Sequence, residues 1–332
     1  MRTRACGLLS LLGLVILGIA WSAPEKVEFV DGKNRIDVRI GGKLFTSYLH
    51  TPDPSRPMAA PGIIQAKPVL HPVLSPSGVV LTRGYPFENV AGEAKDHPHH
   101  QGIFFTMDDA GSLENKFWGN SQDPLPAIRH VKVLQLKGGD GKGTIATVSN
   151  WIDKGGKTIL EENREMVFLV LDKDAYAIDF TFYLKAVNGD VPFTDTKEGM
   201  FCTRVAQWLT EEATGRYLNS NGEQLEKGVW GKRANWVRLQ GEKDGKSHGI
   251  AILSHPKGVN SPTYWHARGY GCFSVNPLGQ LDFQKTLKVP DPKPFNLRIK
   301  AGDRALFKYR MIFYDGDMNK EKLEAAYQAF VK

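Results

Sequence analysis

The feature that most constrains the fold is a strict alternation of apolar and small or polar residues from Tyr176 to Leu184. A period of two places every second side chain on the same side of an extended chain, so this segment predicts a strand with one buried face. Less regular versions recur along most of the sequence, separated by Gly-rich turns such as Gly41-Gly42 and Asn188-Gly189. We therefore expect an all-β protein, a large antiparallel β-sandwich. The further predicted strands are residues 35–40, 44–49, 131–136, 144–151, 166–171, 236–239, 249–253, 295–299 and 305–313.

Only one segment has convincing helical periodicity, and it lies at the C-terminus. Leu323, Ala326, Tyr327 and Phe330 fall on one face at helical spacing, with Asp317 or Asn319 as the cap. Two long stretches, residues 83–126 and 259–279, have no regular pattern and are rich in histidine and aromatic residues. Long loops of this composition are typical of functional sites, so we expect these two stretches to form the walls of one.

The first residues have the pattern of a secretory signal. Basic residues precede an apolar run, and Ala20-Trp21-Ser22 supplies a small-x-small cleavage site, so residues 1–22 are predicted to be a signal peptide. Residues 23–332 then form a single β-sandwich domain that is secreted or periplasmic, with no stable membrane insertion after cleavage. An uncleaved anchor is the alternative, although the apolar run is shorter than the roughly 20 residues that span a bilayer.

The charge and the cysteines limit the classes of partner and cross-link. The formal net charge of the whole chain is +7, with basic residues spread among acidic ones, so nucleic acid is not an expected partner. Cys202 and Cys272 remain after signal removal. An oxidising compartment would allow them to pair, and the alternative is two separate buried thiols.

The richest chemical signal is the motif Asp96-His97-Pro98-His99-His100-Gln101-Gly102, which places three of the nine histidines within four positions. Pro98 disfavours helix, so we expect an extended segment with His97 and His99 on one side and His100 on the other. Imidazole titrates near neutral pH and is the commonest metal ligand. The motif is therefore compatible with a metal site, a proton-transfer site or a polar sugar pocket, or with histidines that only satisfy hydrogen bonds in a turn.

Other polar and aromatic residues supply candidates for the rest of a site. A sugar site needs flat aromatic faces and groups that bind hydroxyls. Proton transfer needs groups with tuned pKa values, and a divalent metal ion, the one cofactor that the histidines suggest, needs imidazoles that converge; His71 and His255 are further candidate ligands. The candidates are His99, His100, Glu198 and Arg204 for catalysis, His71, Trp118, Tyr264, Trp265 and Tyr270 for substrate binding, and His97, His99 and His266 for a metal.

Several motifs taken together resemble a known family. They are residues 71–78, the His97–His100 motif, Phe117-Trp118-Gly119, Lys197-Glu198-Gly199 with Arg204, and His255 leading to Trp265-His266. The combination resembles an exported bacterial family labelled PmoA-like, or "methane oxygenase PmoA", which is in effect a family of unknown function. The resemblance implies a supersandwich of the galactose-mutarotase type and carbohydrate chemistry rather than methane oxidation.

The sequence thus favours an exported carbohydrate-active enzyme of lyase, hydrolase or epimerase type, acting on a small-molecule or oligosaccharide substrate through a His-rich loop site. Two alternatives stay open: a non-catalytic glycan-binding module, and an exported metal-binding protein. Fold resemblance alone does not decide among them, because one sandwich can host many functions.

Overall fold

The computed structural model describes residues 25–332. Its helices are a 3-10 turn at Gln207–Leu209, α1 (Leu225–Val229), α2 (Gln280–Thr286) and α3 (Lys320–Val331). Its strands, in chain order, are β1 (Lys26–Asp31), β2 (Arg35–Ile40), β3 (Lys43–Leu49), β4 (Val69–Val73), β5 (Ile103–Met107), β6 (Ala127–Lys137), β7 (Gly139–Asp140), β8 (Lys142–Ile152), β9 (Thr158–Asp172), β10 (Ala175–Ala186), β11 (Val191–Pro192), β12 (Gly199–Arg204), β13 (Arg216–Asn219), β14 (Arg233–Ala234), β15 (Trp236–Lys243), β16 (Lys246–Ser254), β17 (Thr263–Ala267), β18 (Cys272–Val275), β19 (Arg298–Ile299) and β20 (Arg304–Asp315).

The strands form two large antiparallel sheets packed face to face. The ten-stranded sheet has the order β14-β17-β18-β12-β5-β4-β3-β2-β1-β7, and the eight-stranded sheet has the order β13-β15-β16-β20-β10-β9-β8-β6. A small third sheet pairs β11 with β19. The predicted fold class, a large antiparallel β-sandwich with a short C-terminal helix, is confirmed.

The core lies between the two large sheets. Phe105 of β5 stacks on Phe182 of β10 at 3.9 Å between ring centroids, and Phe201 of β12 stacks on Tyr309 of β20 at 5.2 Å. The alternating residues of β10 supply much of this interface, because every second side chain from Tyr176 to Leu184 is buried there. The prediction for this strand is confirmed, and the burial of such large rings is the main stabilising contribution in the fold.

The outer face of the eight-stranded sheet is covered by α3. Leu323, Tyr327 and Phe330 pack against Trp236 and Tyr314, which point away from the main core. The side chain of Asn319 caps the helix by accepting a hydrogen bond from the Lys322 backbone. The predicted C-terminal helix is confirmed, with Asn319 as its cap.

The two stretches expected to be irregular contain strands. β5 lies within residues 83–126, and β17 and β18 lie within residues 259–279. These strands are buried along their whole length because the core covers one face and loops cover the other. Full burial removes the alternation on which the strand prediction depends. The short helices α1 and α2 were also not expected, and of residues 295–299 only Arg298–Ile299 are in a strand.

The predicted signal peptide, residues 1–22, lies outside the described residues. Within residues 25–332, no helix combines the length and the apolar composition needed to cross a bilayer.

Candidate functional site

The outer face of the ten-stranded sheet carries polar and aromatic side chains, whereas the outer face of the eight-stranded sheet is covered by α3. Alternate residues share this face: Phe104 of β5 lies opposite Val69 and Cys202 in the strand pairing, and Arg204 lies opposite Cys272. Phe104, Trp118 and the two cysteines form a small buried cluster there, separate from the main core. The loops above this cluster bring the histidine motif to the same face.

The histidine motif is a turn rather than the extended segment that the sequence suggested. His97 has a φ of 42° and its carbonyl accepts a hydrogen bond from the His100 backbone. The turn brings all three imidazoles together: the ring of His100 lies 4.9 Å from that of His97 and 4.4 Å from that of His99. The expected separation of His100 from the other two is wrong, because Pro98 is accommodated inside a turn instead of an extended run.

Gly102 fixes where the turn enters β5. Its φ is +58°, and a Cβ at this position would collide with the Leu70 carbonyl oxygen of the neighbouring strand. Only glycine meets both conditions. Gly102, the last residue of the motif, therefore allows the motif to pack closely against β4.

Arg83 holds the segment that leads into the turn. Its guanidinium is buried and donates hydrogen bonds to the carbonyl oxygens of Tyr85, Ala94, Asp96, His97 and His100 and to the Asp96 carboxylate. Six acceptors around one planar cation define the path of the whole loop. Burial lowers the pKa of Arg83 to about 10, which leaves it charged at neutral pH.

Asp96 links this loop to the sheet. One carboxylate oxygen accepts hydrogen bonds from Arg83 at 2.6 Å and from Arg204 at 2.7 Å, and the other is bonded to the His97 ring at 2.7 Å. Burial alone would raise the pKa of Asp96, but Arg204, His97 and Arg83 together hold it below its ordinary value. Arg204 also lies 3.4 Å from Nδ1 of His100. The predicted residues His97, His100 and Arg204 are thus in one connected network.

Tyr270 packs on this network. Its ring is stacked on His97 at 5.2 Å, and the guanidinium of Arg204 lies 4.6 Å from its centroid. These contacts occupy the faces of the ring with a cation and an imidazole. Tyr270 is therefore beside the histidine turn, as expected for a site residue, but its faces are largely covered.

Trp118, Phe104 and Lys67 form the other side of the site. The indole of Trp118 lies 5.4 Å from His100 and 4.9 Å from Phe104. Lys67 is 2 % exposed, donates a hydrogen bond of 3.2 Å to the Trp118 carbonyl, and lies 5.0 Å from the Phe104 centroid. Asp108 fixes the same turn by accepting hydrogen bonds from the backbones of Trp118 and Gly119.

Hydrogen-bonding groups at this site lack partners. Nε1 of Trp118 and Nε of Arg204 are buried and have no acceptor among residues 25–332. Within the same described part of the chain, Lys67 makes a single side-chain hydrogen bond and the ring of His99 makes none. An unpaired buried donor costs free energy, so a cluster of them indicates a place where water or a polar ligand binds.

The environment shifts the pKa values of four ionisable groups toward or away from neutrality. Burial, with the nearby charge of Lys67, lowers the pKa of His99 to about 3, and burial holds that of His100 well below its ordinary value. Burial lowers the pKa of Lys67 to about 8 and raises that of Asp108 to about 6. The two imidazoles are therefore neutral at pH 7, and Lys67 and Asp108 are the groups that titrate nearest to it.

Glu198 lies at the margin of the site. Its carboxylate pairs with Lys197 at 2.7 Å, its carbonyl accepts a hydrogen bond from the Asp108 backbone, and its charge contributes to the raised pKa of Asp108. Its own contacts are those of an ion pair. The structure places the candidate catalytic residue Glu198 beside Asp108, not in the histidine turn.

Two predicted substrate-binding residues have other contacts. Trp265 is fully buried in the core between the sheets, where its Nε1 donates to the Ala234 carbonyl. It points away from the outer face because it alternates with His266 along β17. Tyr264 is covered by Arg233 at 4.3 Å from its centroid, and its hydroxyl is bonded to Gln284. Trp265 has no exposed face for a ligand, which corrects the expectation that it is a platform.

The proposed metal ligands His97, His99 and His266 do not form a metal site. His266 lies apart from the histidine turn, where its Nδ1 accepts a hydrogen bond from Trp230 at 3.3 Å and its ring lies 6.1 Å from that of Phe283. In the described part of the chain, no three His, Cys, Asp or Glu side chains are arranged to hold a metal ion. The residues present do not fit this set of ligands.

The two further candidate metal ligands, His71 and His255, lie outside the histidine turn. His255 packs against Phe330 of α3 at 5.2 Å, on the side of the eight-stranded sheet. His71 is on the same sheet face as Phe104, but it stacks on Phe87 at 4.5 Å and lines a separate cavity. The thiols of Cys202 and Cys272 lie 3.5 Å apart beneath the site, within hydrogen-bond distance and without a disulfide between them.

Sequence reasoning does not single out Lys67 or Arg83 as a site residue. Lys67 precedes β4 in a Pro-containing stretch. Arg83 is the first residue of the stretch 83–126 that was expected to form a wall of the site, but no motif surrounds it. The one usable signal for Lys67 is its spacing: it lies two residues before Val69 and four before His71. In an extended chain these three side chains are on the same face.

Comparison with known proteins gives a family but no activity. Residues 35–328 match the model of a family of unknown function, DUF6807. This chain belongs to that family. No curated protein matches the sequence.

Among solved structures, the chain is similar to a GalM/aldose epimerase homologue from C. elegans. The sequence identity is 9 %, the alignment covers 89 % of this chain and 100 % of that one, and the TM-score is 0.34.

Proposed function

We propose that this DUF6807 protein is an exported carbohydrate-active enzyme that catalyses proton transfer on a sugar bound at the outer face of the ten-stranded sheet. The observation that supports it best is the cluster formed by Trp118, His99, His100, Lys67 and Arg204, which contains polar groups without protein partners. Lys67 of this cluster and the adjoining Asp108 are the two groups that titrate near neutral pH. Perturbed pKa values in a polar, aromatic environment are typical of catalytic sites.

The roles follow from the protonation states. At neutral pH, Asp108 is mainly a carboxylate that can take a proton from a carbon next to a carbonyl or from a hydroxyl, and Lys67 is mainly an ammonium that can give one to an oxygen. Arg204 and the ammonium stabilise the negative charge that develops on that oxygen.

His99 and His100 are neutral and act best as hydrogen-bond donors and acceptors for hydroxyls, since their low pKa values make them weak bases. The acid/base roles assigned to them from the sequence therefore pass to Asp108 and Lys67 in this proposal. Glu198 acts through Asp108 by raising its pKa and is a positioning residue.

The substrate is proposed to be a small sugar or an oligosaccharide, and the reaction an epimerisation, elimination or hydrolysis. Export through residues 1–22 to the periplasm or the medium belongs to the same proposal, because extracellular sugars would then be accessible to the enzyme. The resemblance to the PmoA-like family implies no particular reaction and does not change this proposal.

The test is an assay of the purified protein on unmodified glycosides and on glycosides oxidised to the keto form, with and without divalent cations. We expect turnover of at least one class by the parent, a large loss in Lys67→Met and in His99→Ala, and parental activity in Lys308→Met, a lysine on the side covered by α3. If no glycoside is turned over and titration calorimetry shows sugar binding that survives in Lys67→Met, the protein is a glycan-binding module instead.

A further inference from the structure

One cavity of the protein does not contain the histidine turn. It has a volume of about 500 Å³ and lies between the β3–β4 connection and the loop after Arg83. Its apolar walls are Leu49, Met58, Ile63, Ile64 and Phe87. This volume is within the range of about 300–1,000 Å³ that small-molecule sites occupy.

The lining of this cavity contains two buried polar residues, Gln65, whose amide donates to the carbonyl oxygens of Leu49 and Lys67, and His71. His71 is 3 % exposed, and within the described chain neither ring nitrogen has a hydrogen-bond partner. The ring is held in place by stacking on Phe87 at 4.5 Å. Burial keeps the imidazole neutral, with a pKa of about 3, so that it offers one donor and one acceptor.

The charged residues of the lining balance each other. Two are basic, Arg35 and Arg56, and two are acidic, Asp53 and Glu88. Arg35 is already paired with Asp37 at 3.0 Å. Because this pair leaves Arg56 as the one other basic residue beside two acidic ones, a cavity with these apolar walls favours a neutral ligand over an anion.

The geometry points to a second small-molecule site at this cavity, which takes a neutral, mainly apolar ligand carrying a hydroxyl that hydrogen-bonds to His71. A phenol or an alicyclic alcohol of this kind would satisfy the imidazole and cover Leu49, Ile63 and Phe87 together. The inference does not depend on the proposed enzymatic function, because it concerns binding at residues outside the Lys67–Asp108 pair.

Phe87 is the wall through which this site adjoins the first. It lines the cavity and also packs against the cluster of Phe104 and Trp118. Gln101 of the histidine motif donates a hydrogen bond of 3.0 Å to the carbonyl of Ile64, another wall residue. The two sites are neighbours that share structural support.

The test is a binding titration of the full chain with beta-naphthol, followed by its fluorescence and by calorimetry. beta-Methylnaphthalene lacks the hydroxyl and beta-naphthoate is anionic, so each probes one part of the inference. We expect saturable binding of beta-naphthol with one site per chain, roughly tenfold weaker binding of the methyl analogue because the hydrogen bond to His71 is lost, and no binding of the carboxylate.

Three variants locate the bound ligand. Met58→Trp fills the cavity without touching His71 and should abolish binding, whereas Leu113→Trp, at a residue 63 % exposed elsewhere on the surface, should bind as the parent does. His71→Leu should bind beta-naphthol and the methyl analogue equally. The inference is overturned if the parent does not bind beta-naphthol at millimolar concentration, or if Met58→Trp binds it with parental affinity.

Discussion

The two sheets of this protein have outer faces that are covered in opposite ways. On the eight-stranded sheet, α3 supplies an apolar surface. Beneath it the Trp236 indole donates to Glu324 and the Tyr314 hydroxyl donates to Gln240, while Nε of Arg238 has no acceptor among residues 25–332. On the ten-stranded sheet the cover is made of loops, and beneath them Trp118 and Arg204 retain unpaired donors among the described residues.

The difference teaches where to look for function in a large sandwich. A helix satisfies its own backbone and can cover a sheet with apolar side chains, which stabilises the fold. Loops need buried cations such as Arg83 to satisfy their carbonyl groups, and they bring ionisable side chains into a poorly solvated place. The face covered by loops is thus the one equipped for chemistry.

The largest difference between the faces should appear in catalysis. Lys67→Met removes the proposed acid and should lower kcat/KM by roughly a hundredfold to ten-thousandfold, whereas Lys308→Met on the opposite face should leave it unchanged. In the parent, kcat/KM should decline below the pKa of Asp108, about 6, and above that of Lys67, about 8. A Lys67→Met enzyme that keeps the decline at high pH would show that another group donates the proton.

The next effect is on stability and concerns one arginine from each face. Arg83→Met leaves several loop carbonyls and part of the Asp96 charge unpaired, so the free energy of unfolding should fall by roughly 3–4 kcal/mol. Arg310→Met breaks the pair with Asp179 and should cost about 1 kcal/mol, because Arg310 is more exposed than Arg83 and bonds to no loop carbonyl groups. Urea denaturation measures both. Equal losses would mean that the loop does not depend on Arg83.

The pH dependence of stability isolates the buried ammonium of Lys67. Its pKa is about 8 in the folded chain and 10.5 ordinarily, so between these values the unfolded chain binds more protons and stability rises with pH. The rise amounts to roughly 3 kcal/mol over the whole window and should be missing in Lys67→Met. Comparing urea denaturation of the two proteins at mildly and strongly alkaline pH checks it, and parallel curves would contradict the burial of Lys67.

A variant of the helix should have a smaller effect than Arg83→Met. Phe330→Ala removes a ring that packs on the eight-stranded sheet and should lower the free energy of unfolding by about 2 kcal/mol, because a terminal helix can relax around the cavity. Activity at a temperature where the variant stays folded should equal that of the parent. A selective loss of activity would instead show that the two faces are coupled.

The fold was largely predictable because one face of many strands meets the core and the other meets solvent. β10 and β20 keep this alternation and were found in nearly full length. β5, β12, β17 and β18 are covered on both faces and have no such signal, although Arg204 of the proposed site ends β12 and Asp108 directly follows β5. The sequence pattern therefore did not reveal the strands that support the proposed site.

For the proposed site, the structure brings the histidine motif together with other residues that the sequence suggested, since His97, His99 and His100 lie beside Arg204, Trp118 and Tyr270. The sequence could not show that burial would make these imidazoles neutral or that Lys67 would lie beneath them, because both facts depend on strand pairing across distant segments. Trp265 was misplaced for a simpler reason: its face of β17 depends on a register that cannot be read from a fully buried strand.

The way in which Arg83 closes its loop has a consequence for how the family can diverge. The guanidinium donates hydrogen bonds to the chain at Tyr85 and again from Ala94 to His100, and it makes no hydrogen bond to the residues between them. That intervening segment can gain, lose or exchange residues while the two ends that are bonded to Arg83 stay in place. Relatives could in this way acquire new preferences for what they bind without disturbing the imidazoles.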